Sequence, residues 1–318
     1  MSITYTGVGG LAAANLRLAY MIENEVRAQL ADMASIRNAG VLRYCGDLSG
    51  SGSSALKLRY ASVGSATPLA AAAEGAAVLA TTPTYSTATV TIARSALRYD
   101  ITDLANMTGL GRDLDPFSLA SSMSASAEAR FMELICATFS AATTSAGSAV
   151  AQLTLDDFMD AIYALQLADN GAKTAAVLHP RQVNQLTDSL RSESNNALSW
   201  NPATYSMMEK RGQGFVGSIL GVDVWRSSHV PLDGGATFRI GAMFNADGAN
   251  GSESGVGFAL GTPAPILGAD SVRPAGIPVT VEFERIGSDA TTRVIASLYA
   301  GAAITEDARI VKVQSLNA

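Results

Sequence analysis

The sequence predicts an α+β fold, and three patterns carry that expectation. Strand-like alternation appears twice in the first third, and one long helical seam follows Pro116. A mixed helix–strand stretch from Thr154 then gives way to alternation again from Ile277. At 318 residues the chain is long enough for a full core and suggests two compact units.

Taken in order, residues 1–10 are expected to form an arm. Leu11, Leu18, Ile22, Val26, Leu30 and Met33 then fall at helical spacing, with Glu23, Glu25 and Arg27 on other faces, which predicts an amphipathic helix to about Ile36. The Gly/Ser run "GDLSGSGSS" ends it. In "ALKLRYASV", Leu56, Leu58 and Tyr60 alternate with Lys57, Arg59 and Ala61. In "YSTATVTIARSALRYDI", Thr87, Thr89 and Thr91 alternate with Ala88, Val90 and Ile92. The apolar phase then changes from even positions to Leu97, Tyr99 and Ile101, so a bulge or bend is expected between. The two segments read as a long two-stranded arm whose Ala/Gly-rich tip carries Glu74, and such an arm is marginal on its own.

Asp115 suits an N-cap and Pro116 the first helical position. Met123, Ala127, Phe131, Leu134 and Thr138 continue as a seam at spacings of three and four, predicting a helix of about seven turns. Thr154 and Asp157 form a capping-box pattern ahead of Phe158, Ile162 and Leu165, and "DNG" closes that helix. "TAAVL" reads as a buried strand, and His179-Pro180 opens a helix with Val183, Leu186 and Leu190. Residues 192–214 read as polar and irregular, around Trp200 and Tyr205. Strands are expected near Phe238, Phe244 and Phe258. Further strands are expected through Ile277, Val279, Val281 and Phe283, over 292–299, and over 309–313.

Hydrophobic residues make up 48% of the chain and charged residues only 16%, the deficit being filled by Ala, Gly, Ser and Thr. Two explanations stay open: a surface largely buried against partners, since burying unpaired charge is costly, or an Ala-rich compositional bias. A net charge of −6 argues against gripping nucleic-acid phosphates as the main task, though not against enclosing nucleic acid. Cys45 and Cys136 stand in no metal or redox spacing and read as small buried groups. The N-terminus lacks a secretory pattern, and the Ala-rich run 66–80 is too weak to span a bilayer, so a soluble protein of a reducing compartment is expected.

Gly212-x-Gly214-x-x-Gly217 has the spacing of a dinucleotide-binding loop. That loop needs a strand before it and a helix after it, whereas "SILGVDVWRSS" follows here, interrupted by Gly221 and rich in β-branched residues. The glycines therefore read as a turn into strands. "GAKT" at 171–174 reads as a helix end, and Asp156 and Asp157 as first-turn carboxylates favoured by the helix dipole. His179 and His229 sit in no ligand pair. No catalytic residue, cofactor site or metal site is expected.

The order of these parts resembles the major capsid protein of tailed bacteriophages, the Hong Kong 97-type fold. "AVLHPRQVNQL" resembles that family's central-domain strand and helix, and "GSILGVDVWRSSHVP" its segment entering a central-domain strand. Glu74-Gly75 with "TATVTIARSALRYDITDLA" resembles its extended loop, and "GAAITEDARIVKVQS" its closing strand. The resemblance implies an N-terminal arm and helix over 1–45 and an extended β-hairpin loop over 46–98. It further implies a peripheral domain with a long spine helix over 99–150, a central axial domain over 151–272, and return strands over 273–318. It implies a non-enzymatic shell protein forming hexamers and pentamers of an icosahedral virion around double-stranded DNA. A portal and a separate scaffolding protein would be its partners, and the host cytoplasm the place of assembly. The same fold would serve a cellular nanocompartment shell; a soluble nucleotide-dependent enzyme using the 212–217 turn is the rival from another class. Lys57, Arg59, Arg94 and Arg98 are expected to put four cations on the arm's two strands, making it a local basic patch. They either keep an exposed edge soluble or meet carboxylates of an adjacent subunit, for which Glu128, Glu133, Glu282 and Glu284 are candidates, with Glu74 at the arm tip.

Overall fold

A computed structural model describes residues 25–26, 36, 40–48, 53–61, 85–104, 116–168, 173–192, 200–203, 214–235, 237–247, 253–261 and 279–317. The expected arm 1–10, most of the helix 11–36, Glu74, Tyr205 and Gly212 lie outside them.

Three sheets and three long helices make up the described chain. The first sheet is organised by β14 (Thr291–Ile304), which pairs antiparallel with β4 (Ala93–Thr102), β13 (Val279–Ile286) and β12 (Val256–Leu260). β1 (Arg43–Asp47) adds in parallel to β12. Val294, Ala296, Leu298 and Ala300 of β14 share one buried face. Their register partners Val281 and Val279 lie beside them, and Leu97 and Tyr99 are placed opposite by the β4 pairing. This explains the phase change read from the sequence. In β3 (Tyr85–Thr91) Ala88 and Val90 are the buried positions, Ile92 interrupts the strand, and from Ala93 the chain joins a different sheet with odd positions facing its core. A two-stranded sheet of β2 (Ala55–Ala61) and β3 forms the arm.

The second sheet runs β5 (Ser145–Gly147), β15 (Ile310–Leu316), β10 (Phe238–Asp247), β6 (Lys173–Leu178), β9 (Val222–Arg226), β8 (Phe215–Ile219) and β7 (Trp200–Pro202), with β11 (Glu253–Ser254) on β10. Both of its faces are covered, so its central strands read as apolar runs without alternation. Ala175 and Val177 of β6 face one core, while Ala176 and Leu178 face the other; β10 divides Phe244 from Met243 in the same way. Two expectations change here. Phe238 and Phe244 belong to one strand, and the stretch expected to be irregular contains β7, paired to β8 at Asn201 and Ser218.

The long helix α1 (Pro116–Ala137) has 22 residues, and a 3-10 turn at Thr138–Ala141 supplies the last of the expected length. Met123 and Phe131 of the seam are buried, but Leu119, Ala120, Ile135 and Cys136 are buried just as deeply. They pack between the first sheet and one face of the second, and Phe131 meets Phe258 edge-on at 5.1 Å. The opposite face of the second sheet is covered by α2 (Leu155–Ala168) and α3 (Pro180–Ser192). The capping box at α2 forms as expected: Asp157 N donates to Thr154 Oγ1 at 3.2 Å, and Thr154 N donates to the Asp157 carboxylate at 3.0 Å.

α3 has an analogous start. His179 Nδ1 accepts the Arg181 N–H at 3.2 Å, and the His179 N–H is returned to Gln182 Oε1 at 3.0 Å. Accepting through Nδ1 requires a neutral imidazole. Burial, then the nearby Arg239 and Arg181 charges, lower its pKa from 6.5 to about 4. Across that window the unfolded chain holds the proton and the folded chain does not, so stability falls as pH drops from 6.5 toward about 4. His179→Asn keeps a cap acceptor without titrating, and urea midpoints measured at several pH values are expected to show a flatter acid decline than the wild type. A steeper or unchanged decline would assign the acid sensitivity elsewhere.

Between β14 and β15 an ion pair is buried. Arg309 Nε meets Glu306 Oε2 at 2.8 Å, with side chains 5% and 8% exposed. Glu306→Ala deprives a buried guanidinium of its carboxylate, at an expected cost of about 3–5 kcal/mol. Replacing both partners by Leu and Met should recover most of that loss in denaturant titrations.

Candidate assembly surface

The arm pairs Leu56 with Val90, Lys57 with Thr89 and Arg59 with Thr87. Alternation then separates two faces. Lys57, Arg59, Tyr85, Thr87, Thr89 and Thr91 are all exposed, while Leu56, Leu58, Ala88 and Val90 turn inward and are partly or fully buried. The arm is fixed at its base. Ile92 N donates to Ser54 O at 2.8 Å, and the end of β3 crosses directly over β14 at Gly301, where a Cβ would overlap the Thr91 carbonyl.

The charged candidates fall into two groups. Arg94 and Arg98 lie on β4 in the first sheet, not on the two-stranded arm, and both are engaged within the chain. Arg94 donates to Ser297 Oγ at 2.9 and 3.1 Å, and Arg98 pairs with Asp100 at 3.0 Å. Glu133 is held by Arg130 at 2.7 Å. Glu284 is reached by Arg293 at 3.7 Å, and Arg293 also meets Asp100 and Asp289. That network was missed in the sequence because it depends on which strands become neighbours. Lys57, Arg59 and Glu282 are exposed and have no ion pair among the described residues, and Glu128 carries a buried carboxylate oxygen without a hydrogen-bond partner among them.

The glycine segment is a strand entrance. Gly214 O accepts the Arg226 N–H at 2.7 Å, and a Cβ on Gly214 would come within 3.0 Å of Arg226 O. Gly217 sits at φ 147 where the β8–β9 register shifts, which is a β-bulge. No helix N-terminus follows, so the geometry that holds a pyrophosphate is missing here. Elsewhere, a cleft of about 400 Å³ lies between α1 and the first sheet, lined by Leu97, Met123, Ala127 and Leu298; its Arg130 is already bonded to Ser95 and Glu133. Burial pushes the Cys136 thiol up to about 12 and Cys45 to about 11, so both stay protonated and unreactive at neutral pH. Among the described residues no cluster of His, Cys, Asp and Glu is placed to hold a metal, and no helix is long and apolar enough to cross a membrane.

A body of two sheets around one long helix, with a two-stranded arm crossing its edge, matches solved shell proteins along most of the chain. An encapsulin complex from Synechococcus elongatus aligns with a TM-score of 0.56 at 13% identity, covering 86% of this chain and 84% of that one. The capsid of Ralstonia phage GP4 aligns at 0.54 with 11% identity and 90% coverage of both. A virus-like particle from Pyrococcus furiosus aligns at 0.52 with 11% identity, covering 94% and 99%. The chain has this capsid fold. Neither a protein-family model nor a curated protein sequence matches it.

The Gly301 crossing gives a direct test of how the arm is anchored. Gly301→Ala must push the Thr91 backbone away, so the arm should protect less of its backbone from hydrogen exchange while the α2–α3 region keeps its protection. Equal protection of residues 85–91 in both proteins would show that the close approach is dispensable.

Proposed function

We propose that the chain is the major capsid protein of a tailed bacteriophage, building hexamers and pentamers of an icosahedral shell around double-stranded DNA. The observation that carries this reading is the arm on a capsid-fold body. A two-stranded sheet with one wholly exposed face is marginal in water, and its cations and threonines gain partners when laid on a neighbouring subunit. The low charged fraction of 16% supports extensive burial between copies. In this reading a separate scaffold and a portal are the partners, assembly takes place in the host cytoplasm, and no cofactor takes part. The encapsulin likeness supports a second reading, a cellular nanocompartment shell. The contents of purified particles separate the two: packaged DNA supports the first and a protein cargo the second.

Of the charged candidates, Lys57 and Arg59 are the cations left for another subunit, and Glu128 and Glu282 the carboxylates. Each exposed pair contributes about 1 kcal/mol or less, and repetition around a closed shell multiplies it. Lys57→Glu with Arg59→Glu should therefore leave the thermal unfolding of the unassembled chain unchanged and abolish closed shells in negative-stain micrographs. Glu282→Lys in that background should restore some of them. Undiminished shell yield in the double variant would leave these cations a solubility role only.

A further inference from the structure

We propose that Arg181 and Arg239 form an anion site that takes a phosphate group, a site held within one chain and independent of the shell reading. Three segments meet at one edge of the second sheet: the junction of β6 with α3, the start of β10 and the end of β15. Arg181 stands in the first turn of α3 and is exposed, while Arg239 stands on β10 and is half-buried. Both guanidiniums are drawn to the residue that follows β15. Arg181 Nη1 donates to the Asn317 carbonyl, and Arg239 Nε donates to Asn317 Oδ1 at 3.0 Å. Arg239 Nη1 also donates to the Val230 carbonyl at 3.1 Å.

These acceptors are all neutral. Neither arginine meets a carboxylate among the described residues, whereas Arg98, Arg130, Arg293 and Arg309 each do. Two like charges are therefore held close together without compensation. Burial first, and then the Arg181 charge, lowers the pKa of Arg239; after burial, both arginines also depress His179 at the same junction. Donors stay open as well. Each guanidinium carries five N–H groups in a planar fork, and the contacts above use one from Arg181 and two from Arg239. Ser315 is the register partner of Arg239 on β15 and shares its face of the sheet. Its side chain is fully buried, and its Oγ has no hydrogen-bond partner among the described residues.

The class of ligand follows from these groups. They offer positive charge and donors, so the ligand is an anion with several acceptor oxygens. A carboxylate brings one negative charge. A phosphate group brings about −1.5 to −2 near neutral pH, enough for two guanidiniums, and its oxygens match the planar fork in pairs. It comes either free, as inorganic phosphate, or along nucleic acid, where successive phosphates carry one charge each.

The test is calorimetric titration of the full chain with inorganic phosphate at low ionic strength, with acetate as the single-charge comparison and a short DNA duplex as the second source. Saturable phosphate binding is expected, with acetate about tenfold weaker. Arg181→Gln alters an exposed side chain and leaves the contacts of Arg239 in place, so it should fold normally and bind phosphate about tenfold or more weakly. Arg191→Gln removes the same charge from the far end of α3 and should keep wild-type affinity. A duplex that displaces phosphate, and is itself lost in Arg181→Gln, makes nucleic acid the source; a duplex that does not compete leaves free phosphate. No saturable binding by the wild type, equal affinity for acetate, or undiminished binding by Arg181→Gln overturns the proposal. Equal weakening in Arg191→Gln overturns it too, because net charge alone would then account for the effect.

Discussion

Burying α1 requires apolar surface on more than one side, because its apolar residues spread well beyond a single seam. Phe131 is met by Phe258 of the first sheet, and the buried residues of α1 share one core with Val177, Trp225 and Phe244 of the second. That shared core fixes how the two sheets sit against one another. It also decides which face of the second sheet remains for α2 and α3, and hence where the smaller core forms. The edge of the first sheet, with β4 leading back into the arm, is a consequence of the same arrangement.

Much of this was legible along the chain, where the signal is local. The even-to-odd change between Val90 and Leu97 is a purely sequential pattern, and it marks the point at which the chain leaves the arm. The Thr154–Asp157 box and the His179-Pro180 start are likewise short-range, since a cap is satisfied within one turn. What could not be read depends on register between distant strands. Arg94 reaches Ser297 across 203 positions, and Arg293 gathers carboxylates from β4 and β13, so residues that looked free for a neighbour are engaged at home. Leu220, at φ 51 in the turn between β8 and β9, escaped for a different reason: a leucine beside Gly221 carries no composition cue for a left-handed turn.

The distribution of charge follows the same division. Ion pairs gather on β4, β13 and β14 and at the Arg309–Glu306 turn, where geometry holds both partners. The exposed side of the arm instead carries threonines, Tyr85, Lys57 and Arg59, and the two cations there could be desolvated cheaply only against a carboxylate. The outer side of α2 mixes Met159, Tyr163 and Leu167 with Asp156, Asp160 and Gln166.

The strands that join these parts come late. β14 is the central strand of the first sheet and β15 lies inside the second, between β10 and β5, although both follow every strand they pair with in sequence. During synthesis the edges of β4, β10, β12 and β13 therefore wait for residues 291–316 to leave the ribosome. Neither sheet can close before those residues are made. Both sheets thus depend on one late stretch of chain, so an elongating polypeptide carries two unfinished sheets and completes them almost together.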